Sequence, residues 1–486
     1  MSTETGRSER PWLALAAVCL GVMMTFVNIT ATVGSLSAIQ ADLHASATTI
    51  VWVTSAYSLV VAGLTLSMGT LGDLLGRRLV FLAGIVVLGA GSVLAFTAHS
   101  AGTLIAAEAV MGAGGAMILP TSLTIVSHNF PDPHQRTEAI SIWAGASGLG
   151  LAAGPIVAGA LLEGFSWHSV FLANAVLAVV VLIVTPLLVA ESRHLGRRLD
   201  VPGLLLATTT VTALTYAIIE GGHNGIGAGR VLAALAVFVV ALVLFVVVEL
   251  RSADPMLQLR LFRSAAFSTA MLVAVAAMFG FGGVPLLVVL YVQRVQGASA
   301  LDTGFQLLPL FVVYIAVSAV AARLARRVGL RVMLGGGLLI TAAGAALLLI
   351  TPAHQSYAHV WPGLVLFGLG EGLVLAPVTA AAVASVGAER AGMASAALNM
   401  FRQIGSVLGT SILGTILTSH FASKLAEAEA PPTAFTESVH LGFAVAAVVF
   451  AVVSVPAWLY SVRRKAVQRE QVPGEPADRL AQVLRP

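Results

Sequence analysis

The chain is predicted to be an all-α polytopic membrane protein, and three observations lead there. Hydrophobic residues make up 58% of its 486 positions and charged residues only 10%, against about 25% charged in soluble domains. Apolar runs long enough to cross a bilayer, roughly 20 residues each, recur along the whole length. The basic residues then fall almost entirely on one side of the alternation these runs create.

The apolar runs place spans at 12–34, 49–70, 79–98, 103–127, 137–162, 169–190, 201–220, 230–250, 266–292, 303–323, 331–351, 358–386, 392–419 and 438–462. Arg7 and Arg10 precede the first run, which has full spanning length. That reads as a retained first helix rather than a cleaved leader. The sole cysteine, Cys19, lies inside this helix, which excludes a disulfide framework or a cysteine metal site.

Charge supplies the orientation. With both termini cytoplasmic, Arg77, Arg78, Arg136, Arg193 and most other basic residues share the cytoplasmic side. Of the 26 Lys and Arg residues, only Arg230, Arg294 and Lys424 fall outside, and Arg402 lies within a span. This is the positive-inside pattern, and it supports an even number of spans. The net charge of +4 and the pI of 9.6 thus report topology, and nucleic acid has no place in the account. A multi-pass protein of a bacterial-type inner membrane is expected.

Five segments follow: a cytoplasmic N-terminus (1–11), a six-helix bundle (12–198), two inserted helices (199–252), a second six-helix bundle (253–465) and a mobile cytoplasmic tail (466–486). A weak internal echo supports the division. Leu324-Ala-Arg326-Arg327-Val-Gly329-Leu-Arg331 lays over Leu71-Gly-Asp73-Leu74-Leu-Gly76-Arg77-Arg78. Such repeats are typical of secondary transporters. The outer loop at 420–437 is the longest, and its Ala/Glu/Pro content predicts partial disorder.

Between spans two and three, Gly69-Thr-Leu-Gly-Asp73-Leu-Leu-Gly76-Arg77-Arg78 forms a tight charged turn. Asp73 can pair with the arginines or meet another helix's positive N-terminus, and Gly76 permits a sharp bend. This is the pattern of a conformational latch. In span five, Gly148-Leu-Gly150-Leu-Ala-Ala-Gly154-Pro155-Ile-Val-Ala-Gly159 weakens the backbone at Pro155 and allows close helix approach. Gly112-Ala-Gly114-Gly115 lies inside a span and reads as helix packing. With no phosphate-cradling loop, a nucleotide has no expected role.

The loop resembles the signature of the major facilitator superfamily, and the span-five glycines resemble that family's antiporter motif. Trp167-His-Ser-Val-Phe171-Leu-Ala-Asn174, Ala376-Pro377, Glu389-Arg390-Ala391-Gly392 and Asn399-Met-Phe-Arg402-Gln403 resemble segments of its fourteen-span drug/proton antiporter branch. The resemblance implies the major facilitator fold, two six-helix bundles plus two central helices. It also implies export of amphipathic, drug-like or antibiotic-like small molecules in exchange for protons, with the proton gradient as energy source and no bound cofactor. Two positions depart from the family pattern. Asn28 stands where relatives commonly carry an acid, and Glu108 where they carry an arginine.

Ionisable groups within spans are functional candidates by default. Glu371, near the middle of span twelve, is the first choice for proton coupling, and Glu108, about two turns into span four, is the second. A carboxyl taken out of water disfavours its charged form. Arg402 could instead pair with either acid, holding helices together. Met24, Phe26, Asn28, Asn174, Phe281, Asn399, Arg402 and Gln403 are candidates to face the substrate. A carrier of a neutral or anionic metabolite, such as a natural product or siderophore, stays open. So does a non-transporting sensor or lipid-handling protein. No nucleophile–base constellation points to an enzyme.

Overall fold

The computed structural model describes residues 8, 10–193, 200–252, 255, 257–352, 357–386 and 391–460. The expected tail at 466–486 and the Glu389-Arg390 pair lie outside them. Fourteen of the helices are long and apolar enough to span a bilayer. In chain order they are α1 (Pro11–Gly34), α3 (Ala47–Leu75), α4 (Arg77–Phe96), α5 (Ala101–Asn129), α6 (Pro133–Leu162), α7 (His168–Leu188), α8 (Val201–Asn224), α9 (Gly229–Arg251), α10 (Ala265–Arg294), α11 (Ala300–Val328), α12 (Leu330–Leu347), α13 (Trp361–Ala384), α14 (Ala391–Ala426) and α15 (Pro431–Tyr460). A short α2 (Leu36–Asp42) follows α1. Every predicted span coincides with one of the fourteen.

The largest departure is at 420–437. Helix α14 continues to Ala426 and α15 begins at Pro431, so only four residues connect them. Ala, Glu and Lys are strong helix formers, and proline is favoured in a helix's first turn. Lys424 bridges Glu429 at 3.5 Å and Glu437 at 3.0 Å, and His420 meets Ser438 at 3.0 Å. At 36 residues, α14 runs about 54 Å, well beyond a hydrocarbon core of about 30 Å.

The first six spanning helices and the last six form two bundles, and small residues set the contacts in both. In the first, a Cβ on Gly114 would fall 2.6 Å from the Gly84 carbonyl oxygen, so α4 and α5 touch backbone to backbone. In the second, a Cβ on Gly370 would fall 2.6 Å from the Gly337 carbonyl oxygen, joining α12 and α13 in the same way. Gly76, Gly84 and Gly91 recur at one constant spacing as Gly329, Gly337 and Gly344. Gly150, Gly154 and Gly159 of α6 recur as Gly405, Gly409 and Gly414 of α14. The internal repeat is therefore written most clearly in the glycines where helices cross. The charged turn carries less of it.

Two seams join the bundles, α3 against α14 and α6 against α11. Helix α8 packs beside the first seam, with Gly63 of α3 against Thr208 and Gly222 against Thr415 of α14. Helix α9 covers α8 and exposes Val237, Val239, Val240 and Val243, an apolar face suited to lipid. Helix α10 is the most enclosed of the fourteen, with 72% of its span window buried.

Candidate transport site

Between the bundles lies a cavity of about 760 Å³ including its open mouth. Helix α1 lines it with Phe26, Ile29, Thr30 and Val33, α10 with Met278 and Phe281, α11 with Phe311, and α14 with Gln403 and Ser406. Pro155 of the α6 glycine motif is also part of its wall. A Cβ on Gly154 would collide with the Thr30 hydroxyl, and one on Gly150 would fall 2.9 Å from the Met23 carbonyl oxygen. These two glycines let α6 press against α1 directly behind the cavity. Gly159 lies against the backbone of Ala300 and Leu301, where α6 meets α11.

One end of the cavity is closed. Gln293 Nε2 at the end of α10 donates to the Gly34 carbonyl oxygen at 3.1 Å. The Ser37 hydroxyl donates to Gln293 Oε1 at 2.5 Å, and Arg294 bonds Gln40. A polar clamp thus ties the α1–α2 corner to α10. At the opposite end, where Gly76 turns the chain, α5 makes no substantial contact with α13 or α14 among the described residues.

Helix α1 has a second face. Met24, Asn28 and Thr32 follow one another at four-residue spacing, which places them on one side of a helix, away from the cavity-lining stripe. Asn28 Nδ2 donates to Glu108 Oε2 at 3.2 Å, and the Thr32 hydroxyl donates to Glu108 Oε1 at 2.8 Å. Asn174 Nδ2 of α7 then reaches Asn28 Oδ1 and Ser92 Oγ, each at 3.3 Å. Glu108, Asn28 and Asn174 are all buried. The buried Tyr57 hydroxyl of α3 has no hydrogen-bond partner. Four helices of the first bundle therefore meet through one polar network around an acid.

The second acid is placed differently. Glu371 is 0% exposed, and neither carboxyl oxygen has a hydrogen-bond partner. Arg402 does not pair with it. The guanidinium Nη2 donates instead to the Leu375 carbonyl oxygen at 2.6 Å and to Thr379 Oγ1 at 2.9 Å. The Tyr314 backbone of α11 packs against Gly372, next to Glu371. The Tyr314 ring packs edge-on against Phe281, centroids 5.0 Å apart.

Of the residues expected to face substrate, Phe26, Phe281 and Gln403 line the cavity. Met24 is buried in the core at 0% exposure. Asn28 and Asn174 belong to the Glu108 network, and Arg402 is turned to α13. Asn399, half-buried on α14, lies outside the cavity wall. The sequence pattern alone could not separate the two faces of α1, because both carry polar and apolar residues.

In the charged turn, Asp73 accepts from Arg77 at 2.9 Å, one turn along. Gly76 has φ +124°, a conformation that favours glycine. Sequence reasoning missed Glu191, which follows α7. Its carboxylate accepts from the Arg78 and Leu79 amides at 3.0 and 3.1 Å, capping α4 from outside its own sequence. Arg78 Nη1 returns to the Val189 carbonyl oxygen at 3.0 Å. A carboxylate just past span six and a bare helix start at Gly76 were the available signal.

Two facing helical bundles, an internal repeat, a central cavity closed at one end and buried acids beside it define a membrane transporter. The sequence profile of the Major Facilitator Superfamily matches residues 18–410, and the chain belongs to that family. It is 36% identical to the multidrug resistance protein Stp of Mycobacterium tuberculosis over 85% of this chain and 77% of that one. It is 35% identical to the multidrug efflux pump LfrA of Mycolicibacterium smegmatis, over 87% and 84%. It is 34% identical to the puromycin resistance protein pur8 of Streptomyces alboniger, over 92% and 90%. Among solved structures, the human organic anion transporter MFSD10 (TETRAN) superposes with a TM-score of 0.61 at 14% identity, covering 92% of this chain and 99% of that chain; this speaks for the fold.

Proposed function

We propose that the protein exports amphipathic small molecules across a bacterial inner membrane in exchange for protons, with both termini cytoplasmic. The names of its relatives support an efflux role, and the buried acids support proton coupling. In this orientation the Gly34 end faces outward, so the clamped form is the inward-facing endpoint of alternating access.

One observation carries the coupling scheme. Helix α1 shows Phe26 and Thr30 to the cavity and Asn28 and Thr32 to Glu108. A substrate that shifts α1 changes the donors holding Glu108. A proton arriving at Glu108 alters what α1 presents to the cavity. That is reciprocal coupling between two ligands through one element. Glu108 therefore takes precedence over Glu371 as the coupling group. Glu371, fully buried and without a hydrogen-bond donor, is a second proton-carrying position. An uncompensated charge there would cost roughly 2.5–3.5 kcal/mol. Asp73, Gly76, Arg77 and Arg78, braced by Glu191, act as the latch at the cytoplasmic end.

The test is transport into everted vesicles with an imposed pH gradient, using a panel of cationic and uncharged antibiotics and dyes, wild type beside Glu108→Gln. Gradient-dependent flux in wild type, lost in a variant that still binds its substrate, is expected. Equal gradient dependence in both would remove Glu108 from the coupling step.

A further inference from the structure

The cavity's chemistry narrows the substrate class of the exchange proposed above, on which this inference rests. Among the described residues lining the cavity none is charged. Glu108 and Glu371 lie behind the walls, and Arg402 is turned to backbone and hydroxyl groups of α13. The polar surface consists of Thr30, Thr54, Ser58, Ser406, Thr410 and the amide of Gln403. The threonine hydroxyls are already committed as donors. Thr30 donates to the Phe26 carbonyl oxygen at 3.2 Å, Thr54 to Val51 at 3.0 Å and Thr410 to Ser406 at 3.1 Å. Their oxygens keep acceptor capacity. Ser58 and Ser406 share one another at 3.5 Å.

Such a wall offers hydrogen-bond acceptors, a few donors from Gln403 and the serines, and aromatic faces. It offers no counter-charge. A cation entering it sheds water without a carboxylate to replace it, and the desolvation cost of an ion is several kcal/mol. Cation–π contact with Phe26 or Phe281 returns about 2 kcal/mol in a desolvated site, less than that cost. An uncharged amphipath with hydroxyl or amide donors incurs no such penalty and satisfies the acceptors.

We propose that the central cavity takes an uncharged amphipathic molecule bearing O–H or N–H donors, and that a permanent cation is not its ligand. The proton then carries the only net charge of the exchange, so transport responds to membrane potential as well as to pH.

The experiment is equilibrium binding to the purified full-length protein. The probes are radiolabelled chloramphenicol, which is uncharged and carries hydroxyl and amide donors, and radiolabelled tetraphenylphosphonium. Wild type is compared with Gln403→Glu, which keeps the side chain's shape and adds a charge. Wild type is expected to bind chloramphenicol at least about tenfold more tightly than the cation. Gln403→Glu is expected to tighten cation binding by about tenfold or more, as an ion pair in a low-dielectric site implies. Wild-type binding of the cation as tight as that of chloramphenicol would overturn the proposal. So would a Gln403→Glu variant whose cation affinity does not change. Gradient-independent flux in the vesicle assay with this order of affinities intact would sink proton exchange alone. A reversed order with gradient-dependent flux would sink the uncharged-substrate proposal alone.

Discussion

Asn28 of α1 donates to Glu108 of α5 across 3.2 Å. Both stand out in the sequence reading as departures from the resembling family's pattern, and the fold brings them into contact. The carboxyl of this site is therefore carried by α5, with α1 supplying its donors Asn28 and Thr32.

The Glu108 network predicts a graded stability effect. Thr32→Val removes one of two donors to a buried carboxyl while keeping the side chain's shape. A hydrogen bond to a charged group contributes about 1.5–3 kcal/mol, so thermal unfolding in detergent is expected at a lower temperature than wild type. The double variant Thr32→Val/Glu108→Gln is expected to lose less than the sum of the singles. Additive losses would mean the two side chains do not interact.

Gly114 sits where α4 and α5 touch backbone to backbone. Overpacking a tight core typically costs 1–3 kcal/mol. Gly114→Val is therefore expected to cut the yield of monodisperse protein and lower its unfolding temperature. Gly145, whose Cβ would meet nothing within 4 Å, is the control. Size-exclusion profiles of Gly114→Val and Gly145→Ala should differ clearly.

Glu191 caps α4 from the loop after α7. Removing a helix cap costs about 0.5–2 kcal/mol, and the loss here is local. Glu191→Ala is expected to raise amide hydrogen exchange at Arg78 and Leu79. Asp73→Asn, which disturbs only the pair with Arg77, should leave those two amides protected. Unchanged exchange in Glu191→Ala would show that the cap does not hold the turn.

The Gln293 clamp closes the Gly34 end. Gln293→Ala removes two hydrogen bonds worth about 1 kcal/mol each, enough to shift a two-state balance severalfold. The sole cysteine, Cys19, is buried, so a Thr54→Cys reporter on the cavity wall can be read in a Cys19→Ser background. An impermeant thiol reagent added to intact cells should label the reporter faster when Gln293 is alanine. Equal rates would place the closure elsewhere.

Much of the architecture was legible in the linear chain. The fourteen spans follow from apolar run length. The helix crossings at Gly112 to Gly115 and Gly150 to Gly159 show as small-residue spacing. The connection between α14 and α15 is the exception, because its Ala, Glu and Pro content suits disorder as well as it suits helix ends. The structure uses the first two to extend one helix and the prolines to start the next. An ion pair between Glu371 and Arg402 was a reasonable expectation for opposite charges in neighbouring spans. Their helices instead turn Arg402 one turn further along α13, toward Leu375 and Thr379.

Which segments enter the bilayer can be read from the chain alone, because transfer of an apolar run into lipid depends on that run and little else. The chain also determines where helices can approach, since a missing side chain is a local fact. Which polar groups meet depends on the packing of the helices. Asn28 and Phe26 are two residues apart, yet one holds Glu108 and the other faces the cavity. That division depends on how α1 is rotated between α5 and α10, and no local property of α1 encodes its rotation.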